Sequence, residues 1–278
     1  MRFVSRTHTF TARIPLALGA GLALLTFAAT QSLAAPPPPM NDTGQGVCYD
    51  AANAPSICTP SVGGDAGVNP RQDGRYGRDA QALDGSLTKV GAGRLSFDYT
   101  KIANDGSVLP ATAALGSAPT NWACTRDNVT GLVWEVGLGS GSGPRAAAHK
   151  YTWYWANASQ NGGNAGALGT NTCGGTLASS GNQCNTANYV NLVNSLALCG
   201  ATDWRLPTQK ELHGIVDMGS TLPSIETNYF PNTYSDFYWS STSRAFAPAG
   251  AWVVDFWDGL SQATNSKNAA YYVRLVRP

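Results

Sequence analysis

The chain has 278 residues, with 18 Lys or Arg against 17 Asp or Glu and a formal net charge of +1. No long run of either sign occurs, which excludes a nucleic-acid-binding tract and a polybasic membrane patch. Only 13% of residues are charged, while Gly numbers 31 and Trp and Tyr together 19, a composition suited to a turn-rich extracellular domain packed on aromatic rings.

Residues 1–34 read as a cleavable secretory signal. Arg2, Arg6 and Arg13 precede an apolar run from Ile14 to Phe27, and small residues stand at Ser32, Ala34 and Ala35. That order is the one signal peptidase recognises, with the cut expected after Ala34. The run falls short of the roughly 20 apolar residues that span a bilayer, and Pro36 to Pro39 cannot continue a helix. The expected product is an exported protein, periplasmic or extracellular, with no membrane span after signal removal. Losing the three arginines leaves 15 basic and 17 acidic residues, a net charge of −2.

All six cysteines, Cys48, Cys58, Cys124, Cys173, Cys184 and Cys199, follow that cut. An even count in an exported chain points to three disulfides. Short closed loops suggest Cys48 with Cys58 and Cys173 with Cys184, leaving Cys124 for Cys199. No C-x-x-C redox motif is present.

Residues 35–70 are rich in Pro, Gly, Ala and Asn and read as a flexible linker holding one small disulfide loop. A single domain over 71–278 follows. Residues 95–102 alternate large apolar with polar residues and predict a strand. Residues 130–136 predict a second, entered through a turn at Asp127 and Asn128, and 151–155 an aromatic third. Residues 156–184 form a long Gly/Asn insertion.

Two helices follow. The first is expected over about 187–198: Tyr189, Leu192, Val193 and Leu196 share one face, Thr186 can cap the start and Gly200 the end. The second starts at a capping box, Thr208 to Glu211, with Leu212, Ile215 and Val216 facing inward and Gly219 as its stop. Strands are expected at 237–241, 251–257 and 271–276. In the middle one, period-two alternation sets Trp252, Val254 and Phe256 toward the core and Val253, Asp255 and Trp257 toward the more exposed face.

Catalytic chemistry is sparse. His149 and His213 have no metal-ligand spacing and are expected at the surface, and no nucleophile elbow, P-loop or dinucleotide fingerprint occurs. No clustered carboxylate loop is visible for calcium, so neither metal nor cofactor is expected.

Several strings occur together in order: Cys124 to Glu135 (CTRDNVTGLVWE), Cys199 to Thr208 (CGATDWRLPT) with Glu211 and Leu212, Tyr238 to Ser241 (YWSS), and Val273 to Arg277 (VRLVR). In this the chain resembles the Lcl C-terminal domain family, strongly over 121–278 and more loosely over 71–120. The resemblance implies an α+β, C-type-lectin-like fold, with two helices packed on a small twisted antiparallel sheet with long loops. It also implies an adhesion or ligand-binding role, and the sparse catalytic groups point to a non-enzymatic one.

The Arg205-Leu206-Pro207-Thr208 string is similar to one in formylglycine-generating enzymes, and that enzyme class is one alternative. A structural envelope-associated domain is another. Some relatives of the resembling family vary between the Trp-Ser-Ser string and the terminal string. This implies a ligand surface from Ser243, Arg244, Phe246, Val253, Asp255, Trp257, Gln262, Asn265, Asn268 and Tyr271, with an extracellular protein or glycan as partner. Most other motif residues read as structural: Trp134, Trp204, Trp239 and Trp252 as core anchors, and Arg205 as the partner of a carbonyl or of Asp203 or Asp217. A sulfated polysaccharide is disfavoured by the slightly acidic balance of residues 201–278.

Overall fold

The computed structural model describes residues 39–50, 52, 54–58, 71–139, 143–170, 172–173, 176–177 and 184–278. The stretch expected to be a secretory signal and residues 59–70 lie outside the described residues. Strands β1 (Val47–Tyr49) and β2 (Pro55–Ile57) form an antiparallel ribbon closed by the Cys48–Cys58 disulfide. The stretch just before β1 does not behave as a free linker. Met218 donates its amide to the Thr43 carbonyl at 2.8 Å, and the Asn41 side chain donates to Asp127 and to the Gly214 carbonyl.

Helix α1 (Gly77–Leu83) was not foreseen, because its sequence offers only alanines and one leucine and so no apolar stripe. Its fixed point is Asp79, fully buried, whose carboxylate accepts from the amides of Gly44 and Ser96 at 2.8 and 3.0 Å.

Strands β3 (Tyr99–Ala103), β4 (Val108–Leu109), β5 (Trp122–Asp127) and β6 (Val133–Glu135) build most of an antiparallel sheet. The turn between β5 and β6 arises as the sequence implies. Asp127 Oδ1 accepts from the amides of Val129 and Thr130, and Gly131 takes a positive φ of 79° there. The aromatic strand expected at 151–155 shrinks to β7 (Tyr151–Thr152), and a two-residue ribbon, β8 (Thr172–Cys173) with β9 (Thr176–Leu177), occupies part of the insertion.

Helix α2 (Thr186–Ser195) is capped by Asn185, one residue before the expected Thr186. Asn185 accepts from the Asn188 amide at 3.0 Å, while the Thr186 hydroxyl is spent on both backbone groups of Tyr154. The helix also ends early, because Ala197 turns left-handed at φ 47°. Leu196, expected inside, is therefore 49% exposed, and Leu198 takes the buried place.

Helix α3 (Gln209–His213) has both halves of the capping box but stops at Gly214, well before Gly219. Ile215 and Val216 bury themselves from the turn that follows. Arg205 holds a backbone carbonyl as expected, that of Leu206 at 3.2 Å, but its carboxylate partner is Glu211, gripped with two bonds of 2.7 and 2.8 Å, and not Asp203 or Asp217. Asp217 is held by Arg94 instead.

Strands β10 (Phe237–Ser243), β11 (Gly250–Asp255) and β12 (Ser261–Ser266) form a second antiparallel sheet with β11 in the centre. Then β13 (Ala270–Tyr271) pairs with β7, and β14 (Val276–Arg277) joins the edge of the first sheet, giving the order β14-β6-β5-β3-β4. The stretch expected as one strand over 271–276 is thus two short pieces serving different partners. Between them Tyr272 exchanges backbone bonds with Phe237 and Trp239, which ties the two sheets together.

The alternation expected in β11 fails. Val253 belongs to one buried cluster, with Trp153, Trp204 and Trp239, and Val254 and Phe256 belong to another, with Trp134, Tyr99 and Phe230. A central strand covered on both faces needs no polar side. Both neighbouring strands slip register beside it, and Trp252, expected in the core, is only half-buried. The architecture is α+β, dominated by small antiparallel sheets. All three disulfides join the expected cysteines: Cys48–Cys58, Cys124–Cys199 and Cys173–Cys184. Among the described residues no helix is long and apolar enough to cross a membrane.

Candidate functional site

The ten residues expected to form a ligand face divide between the two ends and the interior of the second sheet. Ser243, Arg244, Phe246 and Asn268 come together where β10 turns into β11. Phe246 is 82% exposed, and the Arg244 guanidinium lies 4.4 Å from its ring centre. Trp257, 57% exposed, sits in the β11–β12 turn at the other end, about 20 Å away at the usual rise of a strand. There it neighbours exposed Leu222, whose amide donates to the Trp257 carbonyl.

Val253 and Asp255 do not reach solvent. Val253 is fully buried, and the Asp255 carboxylate, 6% exposed, accepts from the Trp257 amide at 2.9 Å. Burial pushes the Asp255 pKa up. Gln262 is half-buried opposite Val253, Asn265 pairs with Ala251 through its backbone, and Tyr271 packs its ring on Trp239 and Phe237.

The Phe246 end is braced by a residue that the sequence did not single out. Lys267 is 1% exposed and donates to the carbonyls of Asn161 and Asn164 and to the Ser243 hydroxyl at 2.8, 2.7 and 2.9 Å. Its ammonium lies 3.8 Å from the centre of the Trp153 ring, and burial pulls its pKa down to about 8. The insertion meets Ser243 at Gly162, where φ is +66° and an added Cβ would stand 2.5 Å from Ser243 Cβ. Ser243 is therefore committed to the scaffold.

A second arrangement lies inside the molecule. Glu135, Arg145, His149, Tyr151, Tyr189 and Arg274 line a small cavity, and the exposed Asn232 stands at its rim. Glu135 on β6 accepts from the Tyr189 hydroxyl and from the Leu275 amide, and Arg145 Nε is 3.5 Å from its Oε1. Arg145 also donates to the carbonyls of Ala123 and Val136. Arg274 Nη2 donates to Thr233 at 2.8 Å, while Nη1 is buried with no partner. His149, expected at the surface, is 7% exposed, and burial lowers its pKa. Burial raises the pKa values of Tyr151 and Tyr189.

The sequence hint for this cavity was an ionisable residue inside each of two apolar strings, Glu135 after Val133-Trp134 and Arg274 between Val273 and Leu275. These strings, separated by more than half the domain, meet at the junction of β6 and β14. Residues 123–277 match the family model of the Lcl C-terminal domain. The chain belongs to that family. No curated protein matches it.

Within the Lcl C-terminal domain the four strings thus serve the disulfide, the two sheets and the buried polar cavity, while Phe246 projects from it with the half-buried Arg244 against its ring. N-terminal to the matched span, folding gathers carboxylates that the sequence leaves far apart. Asp42, Asp73 and Asp79 place oxygens within 4.8 Å of one another. These oxygens are already used: Asp42 accepts from the amides of Thr43 and Asp79, Asp73 from the Thr43 hydroxyl, and Asp79 from Gly44 and Ser96. Their role is to fasten residues 41–44 to α1. Burial raises the Asp79 pKa against the bonds from Ser96.

Proposed function

We propose that the chain is an exported, non-enzymatic binding protein that takes a glycan on the loops beside β10 and β11. The observation carrying this reading is the exposed Phe246 ring with Arg244 held against it, on a turn braced by buried Lys267. An exposed ring offers a stacking face to the apolar side of a sugar. Arg244 and Asn268 supply hydrogen-bond donors at its rim. A pre-braced turn loses little conformational freedom on binding.

A glycan suits this surface better than a folded protein does. A stable protein interface covers roughly 800 Å² on each partner around a buried apolar centre. One exposed ring flanked only by the small residues Ala245, Ala247, Pro248 and Ala249 does not supply such a centre. The near-neutral charge of the chain after its signal argues against a polyanion and for a neutral or weakly charged sugar. Export is supported by the N-terminal signal pattern and by three disulfides, which persist in oxidising compartments.

A glycan array probed with the purified protein and with Phe246→Ala, Arg244→Ala and Trp257→Ala tests the reading. Binding should fall at least tenfold for the first two and be retained by the third, which alters the opposite end of the sheet. Absence of glycan binding by the unmodified protein, or binding lost only with Trp257→Ala, would remove this site.

A further inference from the structure

The buried cavity at the β6–β14 junction is lined by a guanidinium whose hydrogen-bonding capacity the protein does not fill. Arg274 is 4% exposed, and its guanidinium packs 4.8 Å from the Phe230 ring centre, yet Nη1 donates to nothing. Among the described residues no carboxylate lies within ion-pair distance of it. The one acid in the cavity, Glu135, is already shared by the Tyr189 hydroxyl, the Leu275 amide and Arg145. A buried guanidinium with an unmade bond is costly unless something completes it.

We infer that this cavity binds a small monatomic anion of chloride size, held by Arg274 Nη1. The formal charges of the lining are two arginines against one glutamate. His149 adds no charge near neutral pH, since burial lowers its pKa. An anion balances that excess where a water cannot. Size agrees: the centre of a water-sized sphere can move through only about 20 Å³ there, room for one or two waters or a single halide and too little for a sugar. The Tyr151 hydroxyl, 3.4 Å from His149 Nδ1, is a further lining group able to donate.

The site would act as a fastener. Arg274 sits between β13 and β14, and Glu135 in β6, so an anion there fixes the C-terminal segment against the first sheet. This inference is independent of the glycan reading, since Phe246 and Arg244 do not line the cavity.

Thermal unfolding of the full exported protein, exchanged into sodium gluconate and titrated with chloride at constant ionic strength, tests it. A ligand bound only by the folded state should raise Tm by about 3 °C or more per tenfold increase in chloride beyond its Kd. Arg274→Met should abolish the chloride dependence. Because that variant can misfold, crystals of the unmodified protein grown in bromide give a second readout, an anomalous peak within hydrogen-bonding reach of Arg274 Nη1. A Tm indifferent to replacing gluconate with chloride, together with no bromide peak in the cavity, would overturn the proposal and leave water as the occupant.

Discussion

The ammonium of Lys267 lies 3.8 Å from the centre of the Trp153 ring, at the meeting point of the carbonyls of Asn161 and Asn164. This contact joins the Gly/Asn insertion to the turn that carries Arg244 and Phe246. Lys267→Met keeps the stem and removes the donors, so amide exchange should accelerate in residues 160–166 while the core of β11 stays protected. Unchanged protection of that loop would show that Lys267 does not hold it.

The same residue gives a pH signature. Its pKa is about 8 in the fold, against about 10.4 for an unperturbed lysine. The unfolded chain therefore binds the proton more tightly, and this group's contribution to stability is fully present above about 10.4 and lost as pH falls through about 8. Urea unfolding of the wild type should strengthen relative to Lys267→Met as pH rises from 8 to 10. Parallel profiles for the two proteins would refute this.

The Arg205–Glu211 pair and the Thr208 cap act as one unit at the start of α3. Burial pushes the Glu211 pKa up, but bonds from Arg205 and from the Thr208 amide and hydroxyl outweigh it and leave the carboxyl below its usual value. Its contribution to stability is therefore complete above the unfolded value and is lost as acid carries pH through the lower, folded one. Thr208→Ala should cost about 1 kcal/mol at neutral pH by denaturant unfolding. Glu211→Gln should flatten the acid limb of the stability profile; an unaltered limb would place the acid sensitivity elsewhere.

The Cys124–Cys199 bridge closes 75 residues of chain, against 10 and 11 for the other two. By loop-closure entropy, replacing both its cysteines with alanine should cost about 4–5 kcal/mol, and opening either short loop under about 3. Denaturation midpoints of the three double variants check the order, which a larger loss from either short loop would reverse.

Val253 and Phe246 separate scaffold from surface. Val253→Ala should destabilise by about 2 kcal/mol through a cavity between packed clusters, and Phe246→Ala should stay within about 0.5 kcal/mol. Calorimetry distinguishes them; a strongly destabilised Phe246→Ala would make that ring part of the fold rather than a contact surface.

What could be read without coordinates was what local chemistry controls. The Thr208–Glu211 capping box, the Asp127 turn and the short-loop disulfides each involve groups within about a dozen residues, so spacing alone specifies them. Even there the fold adjusted details: Asn185 caps α2 because Thr186 is claimed by Tyr154, and α2 stops at Ser195 because Ala197 turns left-handed. Helix α1 escaped notice because its stabilising contact, Asp79 with Gly44, spans 35 residues and leaves no periodic trace.

The ligand face was only partly legible for a related reason. Alternation assumes a strand with one wet side, and β11 has none. Val253 and Asp255 therefore belong to the interior, while Trp257 and Phe246 project from opposite ends. By itself the sequence determined the signal pattern, the cysteine pairing, the Thr208–Glu211 capping box and the family, since all of these depend on residue identity at short range or in fixed order. Only the tertiary structure decided that Lys267 braces the insertion and that Glu135, Arg145 and Arg274 share one cavity. Burial and the meeting of distant charges are properties of packing, and no spacing along the chain encodes them.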